Sequence, residues 1–464
     1  MTGSLLWLRR DLRMRDHPAL SAAAQHEQMT VAFCFDNALL RGRHRSGPRT
    51  QFMLESLADF GEQLRERDNH LFVLEGDPAV ELRALADRVG ATELHLTADV
   101  GPFARRRQRE VKAAMDGLDI EVVAHPGLFC VDSLRDIRTG GGDPYTVFTP
   151  FHRNWLKQPR RAVLRMPATL PPPGAGRGYR RLPSLSSLGL ESDVPRPAPG
   201  GETAGRAAVK RFLVGPILGY AEHNNTLTGG SVSRLSPYLH FGCISPREVE
   251  DRLGGSASEQ AFRRQLCWRD FYAHVLGHFP HNAREEHQEK YRGALRWVDS
   301  DQRFDAWRAG RTGYPVVDAA MRQLLREGWM HNRARLIVGS FLTKDLGVDW
   351  RRGERWFMQL LLDGDEASNN GNWQWIASVG VDPQPPSRRM FNPTLQQRKF
   401  DPDGDYVREY VPELRRVPDE YLREPWTMPS EVQERAGCRI GSDYPEPIVD
   451  HAEARREALD RYRV

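Results

Sequence analysis

Cysteine is scarce in this chain, five residues in 464, and none stands in a Cys-x-x-Cys pair. Cys34, Cys130, Cys243, Cys267 and Cys438 are odd in number and widely separated. A disulfide framework or a cysteine zinc site is therefore not expected, and each reads as a small buried apolar residue. Long apolar runs are missing too, so no segment reads as a bilayer span. The opening MTGSLLWLRRDLR turns polar and arginine-rich too early for a secretory signal. The expectation is a cytoplasmic protein with no membrane partner. Two phosphate-binding signatures are absent: no Gly-x-Gly-x-x-Gly follows the first strand, and no Gly-x-x-x-x-Gly-Lys-[Ser/Thr] loop occurs anywhere. Neither a Rossmann dinucleotide site nor a P-loop is supported. Nor does one sign of charge dominate: 66 Lys and Arg against 62 Asp and Glu leave a net +4. That balance does not by itself announce nucleic acid.

What is present is a globular composition, 39% hydrophobic and 28% charged, at a length that usually means two or three domains. The first 130 residues alternate strand and helix. Short apolar runs at 4–8 (SLLWL), 31–36 (VAFCFD), 70–74 (HLFVL), 93–97 (ELHLT) and 120–124 (IEVVA) read as strands covered on both faces. Helical patterns at 51–65 and 79–89 lie between them, the second opened by Asp77-Pro78. This alternation predicts an α/β domain with a parallel, Rossmann-like sheet. Residues 131–204 form a connector. Its stretch 158–201 is rich in proline, serine, glycine and arginine, and is expected to run over the surface without ordering firmly. From 205 to 464 the patterns are helical. Val317, Met321, Leu324 and Leu325 recur at helical spacing after Tyr314-Pro315, and Leu336, Ile337, Phe341 and Leu342 repeat the pattern. An all-α second domain is expected.

Two stretches there can carry chemistry. SVSRLSP (231–237) sets hydroxyls and an arginine before helical sequence, which suits either a phosphate or plain helix capping. DGDEASNNGNWQW (363–375) crowds carboxylates, asparagines and glycines against two tryptophans. WMHNRAR (329–335) supplies arginines, and Asp363 with Arg335 makes a plausible buried pair. Tryptophan is also abundant: nine of 11 follow residue 260.

These stretches resemble the photolyase/cryptochrome family, and its class I cyclobutane pyrimidine dimer photolyases in particular. So do WLRRDLRMRDHPAL (7–20), GDP (76–78), YTVFTPFHRNW (145–155), WRDFY (268–272), GRTGYPVVDAAMRQL (310–324), FLTKDLGVDWRRGERWF (341–357) and FNPTLQQRKFDPDGDYVREYVPEL (391–414). The resemblance implies an amino-terminal antenna domain, a connector and a helical FAD domain. It implies FAD contacts at Tyr220, Val232, Ser233, Arg234, Leu235, Ser236, Gln265, Arg269, Asn332, Arg335, Asp363, Gly364, Asp365 and Asn369. It implies an electron relay through Trp297, Trp350 and Trp373, and lesion or DNA contacts at Gln265, Trp268, Asn332, Arg333, Leu336, Trp375 and Arg389.

The implied activity is light-driven splitting of pyrimidine dimers in ultraviolet-damaged DNA, by electron transfer from excited reduced FAD to a flipped-out dimer. No nucleophile or general acid is needed. An antenna chromophore is implied as well: segment 98–111 (ADVGPFARRRQREV) resembles a pocket for 8-hydroxy-5-deazaflavin more than one for methenyltetrahydrofolate, with Phe35, Asp36, Arg49 and Asp99 as candidate lining residues. A monomer is expected, because the family is monomeric. Four positions depart from the pattern: Gln265 stands for a glutamate, Leu336 for a methionine, Val232 for a threonine and Asn224 for an arginine. The alternative is a cryptochrome-type photoreceptor without repair, against which Asn369 argues. A (6-4) photoproduct enzyme would carry a histidine pair where this chain has His331-Asn332.

Overall fold

In the computed structural model, residues 3–174, 181–228, 230–382 and 384–464 are described. The amino-terminal half holds a five-stranded sheet: β1 (Gly3–Leu8), β2 (Gln28–Asp36), β3 (Leu71–Gly76), β4 (Ala91–Thr97) and β5 (Glu121–His125). All pairings are parallel and the order is β3-β2-β1-β4-β5. The strands read as unbroken apolar runs because both faces are covered. In β1, Leu5 and Trp7 face one core while Leu6 and Leu8 face another, as the two-residue strand period requires.

Helices α1 (Gly47–Arg65), α2 (Pro78–Val89) and α3 (Pro102–Asp116) follow β2, β3 and β4. Asp77 caps α2 through the Ala79 amide at 2.8 Å, Pro78 opens it, and Gly90 closes it in the left-handed conformation with φ 64°. The strand order reverses between β1 and β4, so the crevice at their carboxyl ends lies beside Arg9, Arg10 and Asp99.

The connector departs from expectation. Among its described residues the only helical turn after 156 and before 202 is Ser186–Leu188, yet the segment is pinned along its length. Met29 donates its amide to the Pro172 carbonyl at 3.0 Å, Asn69 donates to Pro171 at 2.8 Å, and the Arg196 amide bonds Arg326 at 2.9 Å. Leu170, Leu190 and Val194 are buried. Composition weighs only the segment's own apolar content; the ordering comes from the two halves it crosses. Residues 175–180 of the connector lie outside the described residues.

The carboxy-terminal half is helical. The expected helices appear as Pro315–Glu327 and Asn332–Ser340, the second continuing into a π-helical turn at Phe341–Asp345. Four helices position the site: α4 (Ala257–His278), α5 (Asn332–Ser340), α6 (Trp350–Leu360) and α7 (Glu366–Ala377). A Ser256–Glu259 capping box starts α4. One core runs from the sheet face straight into α4, joining Leu6, Phe33 and Phe52 to Phe262, Leu266 and Phe271. A second core lies within the helical half. Polar contacts lock the halves together: Arg13 donates to the Gly127 and Gly242 carbonyls at 2.8 and 3.1 Å, and Glu202 accepts the Met14 amide at 2.6 Å. All five cysteines are buried and free.

Candidate active site

A cavity of about 560 Å³ opens between α4, α5, α7 and the loop leading to Ser236. Its lining includes Tyr220, Val232, Ser233, Arg234, Leu235, Ser236, Gln265, Trp268, Arg269, Asn332, Arg333, Arg335, Leu336, Asp363, Asp365, Asn369, Trp373 and Trp375. Residues separated by more than 150 positions in sequence thus converge on one volume, of a size typical for a bound small molecule.

The polar end rests on paired charges. Arg335 reaches from α5 to Asp363 with two parallel bonds of 3.1 and 2.8 Å, the pair expected from sequence. Asp365 caps α7 through the Ser368 amide at 2.8 Å and pairs with Arg10 at 2.5 Å. Arg10 also holds Asp99 at 2.7 Å, so one guanidinium ties the sheet domain to the first turn of α7. Burial opposes ionisation of both carboxyls. Arg10 outweighs it at Asp99, whose pKa falls to about 2; Arg10, His240 and Arg269 together hold Asp365 well below the usual carboxylate range. Arg269, on α4, is fixed by the Leu128 and Leu239 carbonyls at 2.5 and 3.2 Å. On the loop, Arg234 takes a left-handed backbone with φ 51°. Its exposed side chain pairs with Glu327 at 2.8 Å and lies 4.3 Å from the Trp329 ring centre.

Asn369 sits one turn into α7 and donates to the Glu354 carbonyl and carboxyl at 3.0 and 3.3 Å. Burial pushes Glu354 up to about 7, against the pull of Arg43 and the Asn369 bond. The aromatic end is built by stacking. Phe148 lies flat on Trp268, with centroids 3.6 Å apart and planes 3° off parallel. Tyr272 flanks the same indole at 5.5 Å. Close approach of the helices is secured by glycine: a Cβ on Gly371 would stand 2.1 Å from the Tyr272 ring, and one on Gly353 would stand 2.2 Å from Trp373. Trp373 and Trp350 are buried, while Trp297 is half-buried against Tyr462.

Several expected residues stand elsewhere. Arg389 is only 2% exposed: it pairs with Asp382 at 2.7 Å and covers the Trp375 ring at 4.2 Å. It therefore orients Trp375 rather than offering a free cation to a phosphate. Gly364 is absent from the cavity lining; it faces away, where an added Cβ would strike Arg49 at 2.4 Å. Arg49 itself bonds the Met358 carbonyl behind the cavity. Asp99 faces Arg10, and Phe35 is sealed in the core. Asp36 pairs with Arg107 of segment 98–111 at 3.1 Å. The four antenna candidates are thus not brought together, because β-strand alternation and the domain contact send their side chains in different directions. Half-buried Arg333 is held by Asn225 at 2.7 Å. Asn224 turns back onto the Tyr220 carbonyl at 2.7 Å. Sequence reasoning misses Arg10, Phe148 and Glu354, whose partners are 355, 120 and 15 residues away along the chain; only the WLRRDLR and YTVFTPF motifs hint at the first two.

The donor set fits FAD. Fixed guanidiniums and loop hydroxyls suit a diphosphate, carboxylates suit sugar hydroxyls and amines, and a buried amide beside stacked aromatics suits a polar ring system. Comparison with known proteins agrees. The family described as DNA photolyase matches residues 4–173, and the FAD binding domain of DNA photolyase matches residues 262–464. The deoxyribodipyrimidine photo-lyase of Streptomyces griseus is 40% identical over 451 residues, covering 96% of both chains. A bacterial class III photolyase from Agrobacterium tumefaciens superposes with a TM-score of 0.91 at 34% identity, over 100% of this chain and 97% of that one. The cryptochrome of Synechocystis sp. PCC6803 superposes with a TM-score of 0.89 at 28% identity, over 99% of each chain. With both halves matched, and with a relative 40% identical over nearly the whole chain, the chain belongs to the DNA photolyase family.

Proposed function

We propose that this chain repairs cyclobutane pyrimidine dimers in ultraviolet-damaged DNA, acting as a monomer and as a deoxyribodipyrimidine photo-lyase. The observation that carries this reading is one cavity with two ends, a charged end at Arg335–Asp363 and an aromatic mouth at Trp268 and Trp375. FAD held there would supply the light-driven electron transfer. The protein binds and orients. Arg269, Arg335 and the Ser233–Ser236 loop would hold the phosphates, and Asp363 and Asp365 the adenosine and flavin edges. Asn369 would lie at the flavin ring. Trp268, stiffened by Phe148, and Trp375, stiffened by Arg389, would wall a flipped-out dimer, with Asn332 and Gln265 as polar contacts and Leu336 as an apolar one. Arg333 would meet a backbone phosphate.

Trp373, Trp350 and Trp297 would form the relay; Trp373 lines the cavity, Trp350 is buried and Trp297 is half-buried, which supports a path from the cavity to the surface. The division into residues 1–130, 131–204 and 205–464 is kept with it. For the antenna, 8-hydroxy-5-deazaflavin remains preferred over methenyltetrahydrofolate, with Asp36 and Arg107 near its binding crevice. Reconstitution with each separately tests this, and folate binding without deazaflavin binding overturns it. Class I membership rests on the sequence motifs; the class III superposition supports the family at large and not that branch.

The decisive experiment is illumination of a thymine-dimer oligonucleotide with purified, fully reduced protein. Loss of dimers under blue light and not in the dark is expected. No repair, with flavin retained, would favour a photoreceptor, the role of which the cryptochrome superposition is a reminder. In parallel, the double variant Asp363→Ala, Asp365→Ala is expected to purify without flavin; full retention would remove the cofactor assignment.

A further inference from the structure

We infer that the sheet domain carries a divalent transition-metal site, away from the cavity, formed by His26, Glu93 and His95. Their ligand atoms all lie within 4.8 Å of one another, the only such group of three among the described residues. Glu93 and His95 are two apart on β4, so both project from the face opposite Leu94 and Leu96. His26 comes from the turn between the helix Pro18–Ala23 and β2. His95 Nε2 stands 3.2 Å from one Glu93 oxygen, and His26 Nε2 stands 3.5 Å from the other. Bonds of about 2.0–2.1 Å around a tetrahedral ion put neighbouring ligand atoms about 3.3 Å apart, so the two contacts to Glu93 are near that spacing and small side-chain adjustments would bring the three ligands onto one ion.

The state of His95 points the same way. It is 2% exposed, and its Nε2 makes no hydrogen bond although it is aimed at Glu93. Its Nδ1 lies 3.0 Å from His125 Nε2. In the tautomer with Nδ1–H donating to His125, the Nε2 lone pair is free to bind an ion beside the Glu93 carboxylate. His125 then serves as the outer partner that fixes ring orientation and tautomer, as metal-bound histidines require. Two imidazoles and one carboxylate select a borderline divalent ion such as zinc, with water completing the shell. The ion would staple the β1–β2 connection to β4.

The test is calorimetric titration of Zn²⁺ into the flavin-loaded full chain, alongside Glu93→Gln and His26→Ala. Both replaced side chains are partly exposed, so folding is expected to survive, and retained flavin checks it. One zinc per chain is expected, with affinity falling at least tenfold in each variant. Zinc should raise the unfolding midpoint of the parent and not of the variants. X-ray absorption at the zinc edge should report two imidazole ligands. Absence of binding, or equal affinity in parent and both variants, would overturn the site and leave His26, Glu93 and His95 as an ordinary polar cluster.

Discussion

Gln265 stands exposed at the mouth of the cavity, where the family pattern favours glutamate. An amide keeps the hydrogen-bonding shape but cannot offer the proton of a carboxylic acid to a developing negative charge. One such contact is worth roughly 1.5–3 kcal/mol. Gln265→Glu is therefore expected to raise the yield of dimer splitting per absorbed photon or leave it unchanged; a fall would show that the amide itself is required. Trp373 makes a separate prediction. It lines the cavity but lies in the helical core against Phe357 and Trp307. Trp373→Phe should block light-driven reduction of the oxidised flavin while chemically reduced protein still repairs, and equal photoreduction in both would identify another donor. Glu354 supplies the pH dependence. Burial raises its carboxyl from 4.5 to about 7, so ionising it costs the folded state. The cost is absent below pH 4.5, grows as pH rises, and is complete above about pH 7. Glu354→Gln should accordingly add on the order of 2 kcal/mol at pH 8 and almost nothing at pH 4.5, read from urea midpoints.

At the scale of elements, α7 decides the site. Its cap is Asp365, and Asn369 and Trp373 follow at steps of four along one face, with Trp375 two residues further on. It can approach α4 only because position 371 has no side chain. Gly371→Ala adds one methyl group where the Tyr272 ring already stands, and the helices must separate. The expected cost is about 1–3 kcal/mol. Since the cavity is bounded by these two helices, flavin occupancy should fall with it, measured by the ratio of visible to ultraviolet absorbance. Unchanged occupancy would mean that Tyr272 swings aside freely.

At the scale of the whole molecule, the two halves share a core and a charge network, so the sheet domain helps to hold the cofactor site. Arg10 is the clearest link, contacting Asp99 and Asp365 at once. Arg10→Ala leaves two largely covered carboxylates without their principal partner, a change that costs about 3 kcal/mol. Global stability and flavin retention should fall together. Retention at the parent's level would show that Asp365 is held sufficiently by its cap on α7.

Strands, helix starts and the two-part organisation are legible in the sequence, because each depends on near neighbours. A continuous apolar run marks a doubly covered strand, Asp77-Pro78 marks a helix start, and helical spacing marks the second half. The Arg335–Asp363 pair is legible because chemistry singles out its two short polar segments. Other features are decided by tertiary structure alone. Arg389 carries the right charge for a phosphate, yet packing delivers it to Asp382 and Trp375. Arg49, Asp99 and Phe35 are expected to line one antenna pocket, yet packing sends them to the Met358 carbonyl, to Arg10 and into the core. Arg10, on the first loop, finds its partner at position 365. Local backbone preference and hydrophobic period act over a few residues and can be read along the chain. The partner of a charge is set by which surfaces the cores bring into contact, and that is settled only when distant segments fold onto one another.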